Sequence, residues 1–439
     1  MLDALQSPRT TVPAVLSRQR PPVLLSMAHW YGTLAAVREI GRRGVEVRVA
    51  SSSRLRPAAW SRFARRLSAP DEREVESLMD WLLSYGKENP GVALCAASDD
   101  LCFLFAAYQR ELGRRFLLHT PGLAALEKVL DKRLLHQHAA AAGLRTPATL
   151  FPEDAGEAEA LAASARWPLL IKQRTQVLSR TFDKGTPVSS PESLRGHYQE
   201  FRRRNRFDPS VLERWPGVDR PMLQEYLPRS SGRIYCLSGF IGPAGRSATR
   251  AALKLLSHPR YLGIGLLFED AEVLPELEAG VLRLCRSVGY SGIFQCEFLE
   301  HEGEHLLIDF NPRFYNYMAL DHARGLPQAW LAYLLAIGAR EQLAEEIERA
   351  RAAREGRRRT LYCYRLGTWT QLRFERLMGR IPRDEPARWR RWRSGAEAVV
   401  DPAWAPGDAR PALADALCQI WRLLRHPRSF FRANTRRAL

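Results

Sequence analysis

At 439 residues the chain is long enough for two or three domains, each with its own core. A hydrophobic share of 46% and a charged share of 26% are those of ordinary globular proteins, and no run approaches the ~20 apolar residues of a membrane span. The formal charge of +18 is unevenly spread: residues 331–439 hold 23 Arg and no Lys against 12 acids, a surplus of 11, so any anionic partner is sought first in the last quarter.

Residues 1–20 carry scattered charges without a compact apolar stretch, which reads as a short disordered leader and not a secretory signal. The seven cysteines form no CxxC pair, are odd in number and mostly lie in apolar runs, so they read as buried thiols in a reduced, cytoplasmic setting.

The segment PVLLSMA (22–28), the amphipathic stretch HWYGTLAAVREIGRRG and the run VEVRVASSS predict a β-α-β start to a parallel sheet. A strand at 92–97 and a helix opening at Ser98, Asp99 and Asp100, good N-capping types, continue it. GxGxxG is absent, so nothing marks a dinucleotide site. From residue 119 a new unit begins: a helix over about 123–142 stopped by Gly143, an extended stretch enforced by Pro147, and a strand in WPLLIKQRT with Lys172 near its end. A polar loop, SRTFDKGT (179–186), a helix at about 191–205 and a strand in PMLQEYLP follow. IYCLSGFIG reads as a strand, the segment near RAALKLL as an ill-defined one, and PRYLGIG as a loop. A helix at 274–288 ends at Gly289.

The stretch SGIFQCEFLEHEGEHLLIDFNPR (291–313) reads as two apolar strands joined by a tight turn near Gly303. Alternation puts Gln295 and Glu297 on one face, Asp309 with Asn311, and Cys296 on the opposite, buried face. Two acids and an amide oxygen on one face are hard ligands suited to Mg²⁺. On the residues alone, a solvated hairpin face stays a rival, but Arg313 crowding the same strand end argues against it.

The order LEKVLDK, IK, QEYLP, then QCEFLE…LLIDFNPR resembles the ATP-grasp superfamily of ATP-dependent carboxylate–amine and carboxylate–thiol ligases, over about residues 123–335. The resemblance implies an α/β ATP-grasp fold of two α+β lobes, preceded by a Rossmann-like parallel domain, with an Arg-rich, mostly helical C-terminal extension. The implied division is a Rossmann-like domain at 21–118, an ATP-grasp domain at 119–335 (small lobe about 145–225, large lobe about 226–335), and the extension at 336–439. It implies ATP and Mg²⁺, with Mn²⁺ as an alternative. Lys132, Lys172 and, more weakly, Lys184 are the implied phosphate contacts, and Gln224, Glu225, Tyr226 and Leu227 the segment whose backbone holds adenine. Glu297, Asp309 and Asn311 are the implied metal ligands; Arg313, Lys254 and Arg250 the catalytic cations, with solvated strand charges the rival reading for the last two. Arg233 stands where the family often has a ribose-binding acid, and Asp309 where Glu is more usual. The implied reaction activates a carboxylate as an acyl phosphate and couples it to an amine, both small-molecule substrates, releasing ADP and phosphate.

Beyond the hairpin, Tyr315, Asn316 and His322 are candidates to face an acceptor pocket, with His322 read as a helix-surface histidine ahead of the alternative, a catalytic base. PRDEPARWRRWRSG reads as a linker. Leu413, Leu417, Ile420, Trp421 and Leu424 fall at helical spacing among Arg422, Arg425 and Arg428. That helix either packs on its own enzyme or lies on an anionic membrane surface, in which case the substrate is membrane-associated and the protein peripheral. An ATP-binding protein without ligase activity is a further alternative. Nucleic-acid binding ranks low, because aromatic and basic residues interleave only in the tail.

Overall fold

The computed structural model describes residues 20–181, 185–227, 234–260, 263–355 and 359–435. The leader, Lys184 and Arg233 lie outside the described residues.

Five short strands, β1 (Val23–Leu25), β2 (Val47–Ser51), β3 (Ala64–Ser68), β4 (Val92–Leu94) and β5 (Phe116–Leu118), form an all-parallel sheet in the order β3-β2-β1-β4-β5. The first three elements follow the expected β-α-β course, with the helix Tyr31–Arg42 crossing between β1 and β2. β3 has the sequence ARRLS and is not legible from hydropathy, because both its arginines are exposed at the sheet edge. The strand order reverses between β1 and β4. In such sheets the crevice beyond the carboxyl ends of the two strands at the switch point is the ligand position. The chain there supplies Trp30 after β1 and Asp99 after β4.

The expected single helix over 123–142 is two, Leu123–Leu130 and Lys132–Ala141. Asp131 breaks it. Its backbone is extended (ψ 117), its carboxylate accepts from the Arg133 N–H at 2.8 Å, and the same carboxylate takes the buried Arg174 guanidinium. The break sets Lys132 at the first position of a helix aimed at the large lobe.

A four-stranded antiparallel sheet follows, in the order β6-β9-β7-β8: β6 (Thr149–Leu150), β7 (Leu169–Lys172), β8 (Thr186–Val188) and β9 (Met222–Glu225). The helices Ala155–Ala162 and Pro191–Arg204 cover it around a separate small core that includes Ile171, Leu194, Tyr198, Phe201 and Leu223.

The third sheet has seven strands in the order β14-β13-β10-β11-β12-β15-β16, namely β10 (Ile234–Ile241), β11 (Ser247–His258), β12 (Ile264–Ala271), β13 (Gly292–His301), β14 (Glu304–Asn311), β15 (Thr360–Cys363) and β16 (Ala398–Val400). Part of the stretch read as a loop, PRYLGIG, opens β12. The C-terminal extension is mostly helical but not an appendage: β15 pairs antiparallel to β12, and β16 parallel to β15. The stretch read as a linker contains the helix Glu385–Ser394, which begins with Pro386 in its first turn and stops at Gly395.

Candidate active site

A cleft of about 240 Å³ opens where all three sheets meet. The hairpin that dominates it forms because Glu302 (φ 49) and Gly303 (φ 80) make a two-residue turn with both residues left-handed, the geometry that matches strand twist. That turn fixes the register. Glu297 is the direct partner of Asp309, and Gln295 of Asn311, so the acids and the amide share one face. A bulge follows at once: Phe298 pairs with Leu307, leaving Ile308 as the extra residue beside Asp309. Cys296 is fully buried on the far side, and burial pushes its thiol up.

Every acid in the cleft has a cation answering it. Lys254 on β11 donates to both oxygens of Glu297, at 2.8 and 2.7 Å. Burial alone would lower the Lys254 pKa, but Glu297 overrides it and the pKa rises. Lys132 donates to Asp309. Arg313 donates to Asp99 of the first domain at 3.0 Å and to the Asn311 amide oxygen at 2.7 Å. Burial opposes its charge too, and Asp99 outweighs that burial. Trp30 lies 5.6 Å from the Arg313 guanidinium, centroid to carbon, a cation–π distance. Lys172 enters from the small lobe, with its amine 3.3 Å from the Gln224 amide oxygen. Among the described residues the lining has four cations, Lys132, Lys172, Lys254 and Arg313, against the three acids Asp99, Glu297 and Asp309. That balance favours a polyanion.

The expected residues do not all come together. Arg250 is a correction: it does not line the cleft, and its guanidinium is buried against the carbonyls of Thr249, Arg324 and Ala350. It shares a strand face with Lys254 but lies four residues, ~13 Å, further along, beneath the chain around residues 324 and 350. Glu225 and Tyr226 donate their backbone N–H groups to Ala148 and Pro168, at 2.8 and 3.0 Å, so those amides are already used within the lobe. Tyr315 and Asn316 line the cleft. His322 is not a surface residue; its Nε2 lies 2.7 Å from Glu39 of the first domain. Trp30 and Asp99 were missed as site residues. Their signal was positional, each following a strand at the switch point of the first sheet.

Two carboxylates on one rung and an amide oxygen one rung along are oxygen donors of the kind Mg²⁺ takes, together with phosphate oxygens and water. Among the described residues no group of three or more His, Cys, Asp or Glu is gathered to cage an ion alone. The donor set is one to which Glu297, Asp309 and Asn311 would each contribute an oxygen if an ion sat there, leaving its remaining positions to other ligands.

No protein-family model and no curated protein matches the chain. Solved structures do. A biotin carboxylase from Campylobacter jejuni in complex with β,γ-ATP shares 14% identity over 76% of this chain and 71% of its own, with a TM-score of 0.54. The biotin carboxylase domain of 2-oxoglutarate carboxylase from Hydrogenobacter thermophilus, in complex with MgADP and bicarbonate, gives 13%, 73%, 70% and 0.57. An L-amino acid ligase from Bacillus licheniformis gives 14%, 73%, 75% and 0.53. With the sheet orders and the hairpin register above, these likenesses lead to one conclusion: the chain has the ATP-grasp fold.

Proposed function

We propose that the protein is an ATP- and Mg²⁺-dependent ligase that joins a small-molecule carboxylate to an amine, with Mn²⁺ able to replace Mg²⁺. The observation that carries this reading is the Glu297–Asp309 rung, met in one cleft by Lys254, Lys132, Arg313 and, from the opposing lobe, Lys172. A carboxylate is a poor electrophile. Its oxygen attacks the γ-phosphorus of ATP, the bond to ADP breaks, and an acyl phosphate results. The amine nitrogen then attacks the acyl carbon, phosphate leaves, and the amine proton passes to solvent. Phosphoryl transfer asks mainly for positioning and for positive charge around the equatorial oxygens. Lys172 and Lys132 supply that charge from two sides, and Arg313 is held for the same task by Asp99 and Trp30. Bound Mg²⁺ adds charge neutralisation at the phosphates. The acceptor site lies toward Tyr315 and Asn316.

The test is an ADP-release screen over paired carboxylates and amines with mass detection of the product. Asp309→Ala is expected to lower substrate-dependent ADP release by at least ~10³-fold while the fold, followed by circular dichroism, stays intact. Unchanged turnover overturns the site.

A second reading, peripheral membrane attachment, is favoured by one observation. The helix Arg410–Arg425 buries Pro411, Ala414 and Asp415, whereas the apolar stripe Leu413, Leu417, Ile420, Trp421 and Leu424 faces solvent, with Leu424 72% exposed. No acid follows Asp415 in the chain. An outward apolar stripe flanked by arginines suits an anionic lipid surface, at about 1 kcal/mol for each arginine that reaches it. No helix among the described residues is long and apolar enough to cross a membrane. Truncation after Cys418 spares β16 and Asp408, whose carboxylate anchors Arg38 and Ser61. Flotation with anionic vesicles should fall more than tenfold in that truncation; equal recovery rejects attachment.

A further inference from the structure

A second concave site lies behind the large sheet. On β12, Phe268 lines the catalytic cleft, while its neighbour Leu267, pointing to the other face, lines a separate cavity of about 260 Å³. Cys363, the partner of Leu267 on β15, completes the floor. The helices Arg365–Leu377 and Glu385–Ser394 form the walls.

Those walls have an unusual chemistry. Three indoles face the space: Trp369, 62% exposed, and the edge-to-face pair Trp389 and Trp392, with centroids 5.5 Å apart. The indole N–H groups of that pair are already used, by Glu385 at 3.2 Å and Glu269 at 3.3 Å, so what they can offer a ligand is ring surface. Between them stand Arg373, Arg376, Arg390 and Arg393, and among the described residues no acid is in the lining. The nearby carboxylates are engaged elsewhere. Glu375 and Glu385 hold Arg260, at 2.6 and 3.1 Å, and Glu269 holds Arg359 at 2.8 Å. Among the described residues none of these four arginines has a carboxylate partner; a fifth, Arg365, has Asp401 at 3.8 Å.

We propose that this cavity binds a small amphiphilic anion, a phosphate or carboxylate head on an aromatic or apolar body. Guanidinium groups grip such heads through paired N–H donors, and indole faces take the body. Like charges gathered around one space are relieved by an anion between them. This inference is independent of the ligase reading, since the cavity and the cleft lie on opposite faces of the sheet. It also gives the RWRRWR stretch, which the cleft does not use, a task.

Phenyl phosphate is the probe, titrated into the full-length protein with tryptophan fluorescence and calorimetry as readouts. Saturable binding at least tenfold tighter than that of inorganic phosphate is expected. It should weaken at least tenfold in the Arg390→Gln/Arg393→Gln double variant and in Trp369→Ala, an exposed position where folding is not at stake, and stay unchanged in Lys172→Ala, which alters only the cleft. No saturable binding overturns the proposal, as does binding lost in Lys172→Ala and kept in the arginine variant. Displacement of the probe by vesicles containing phosphatidic acid assigns the head to a lipid. Failure of such vesicles to displace it assigns the site to a soluble ligand; either result is read only once the variants have located the probe.

Discussion

Two hydrophobic cores of unequal reach hold the opposing sides of the cleft. The small lobe has its own, built around Ile171, Tyr198, Phe201 and Leu223. The other runs without a break from the strands of the first domain, such as Val23 and Val47, through Trp330, to Phe294 and Phe310 in the large lobe. Glu297, Asp309, Asn311, Arg313 and Asp99 all stand on this larger body, whereas Lys172 ends a strand of the smaller. The join between them is part polar and part apolar: the Arg174–Asp131 pair and the Leu178 N–H to Asp100 at 2.7 Å stand beside Val177, Phe207, Val211 and Trp215, residues between β7 and β9 that sit in the larger core, Trp215 with its ring centroid 4.8 Å from that of Phe103. Apolar burial fixes position in proportion to area, while a polar contact exchanges with water at a net difference of about 1 kcal/mol. The acids and Arg313 are therefore set against each other by packing. The placement of Lys172 relative to them depends on the smaller core and on that mixed join.

Truncating each core breaks this comparison most directly. Phe201→Ala and Trp330→Ala each remove a ring that is 1% exposed and should each cost about 3–5 kcal/mol. The losses should fall in different places. In calorimetry Phe201→Ala lowers a transition belonging to the small lobe, and Trp330→Ala one belonging to the first domain and large lobe together. A single transition moved equally by both variants would mean that the join, through Val177, Phe207 and Trp215, couples the lobes as firmly as a common core would.

The hairpin was legible because its two signals are local: alternation fixes faces, and a turn near Gly303 brings the strands together, while the register that pairs Glu297 with Asp309 is fixed only by the two-residue turn of the structure. Arg250 shows the limit. Alternation gives it the same face as Lys254, and only the cover supplied by residues 74 and 100 positions later, Arg324 and Ala350, decides that one cation reaches the cleft and the other does not. Trp30 and Asp99 were hidden for the same reason, since the strand order of the first sheet is a non-local fact. The stripe at Leu413–Leu424 was read correctly as an amphipathic helix, but a periodic pattern gives the width of an apolar face, not what covers it. β15 and β16 were missed because three or four residues carry too short a period to see.

A smaller effect sharpens the same comparison at the join. Leu178 has a left-handed backbone (φ 47), uncommon for a side chain of its size, and its N–H is taken by Asp100 at the start of the helix Asp99–Ala107. Burial raises the Asp100 pKa to about 6, against the lowering effect of that N–H. The folded state thus holds a proton that the unfolded chain, titrating near 4, has released. Between about pH 4 and 6 the unfolded state binds fewer protons than the folded one, so this carboxyl makes stability fall as pH rises, by at most about 3 kcal/mol and less where water screens a partly buried group. His136, lowered to about 4 by burial and by Lys132 and Lys172, acts in the opposite sense: its contribution rises over about pH 4 to 6.5. The two slopes oppose each other in the native protein and mask both groups. Asp100→Asn keeps an oxygen for the Leu178 N–H and removes one slope. Its stability advantage over the native chain should be absent near pH 4, grow through pH 6 and level off above, as read from urea unfolding at each pH. An advantage that does not vary with pH would mean that Asp100 is ionised throughout and that the strained turn at Leu178 rests on a charged acceptor.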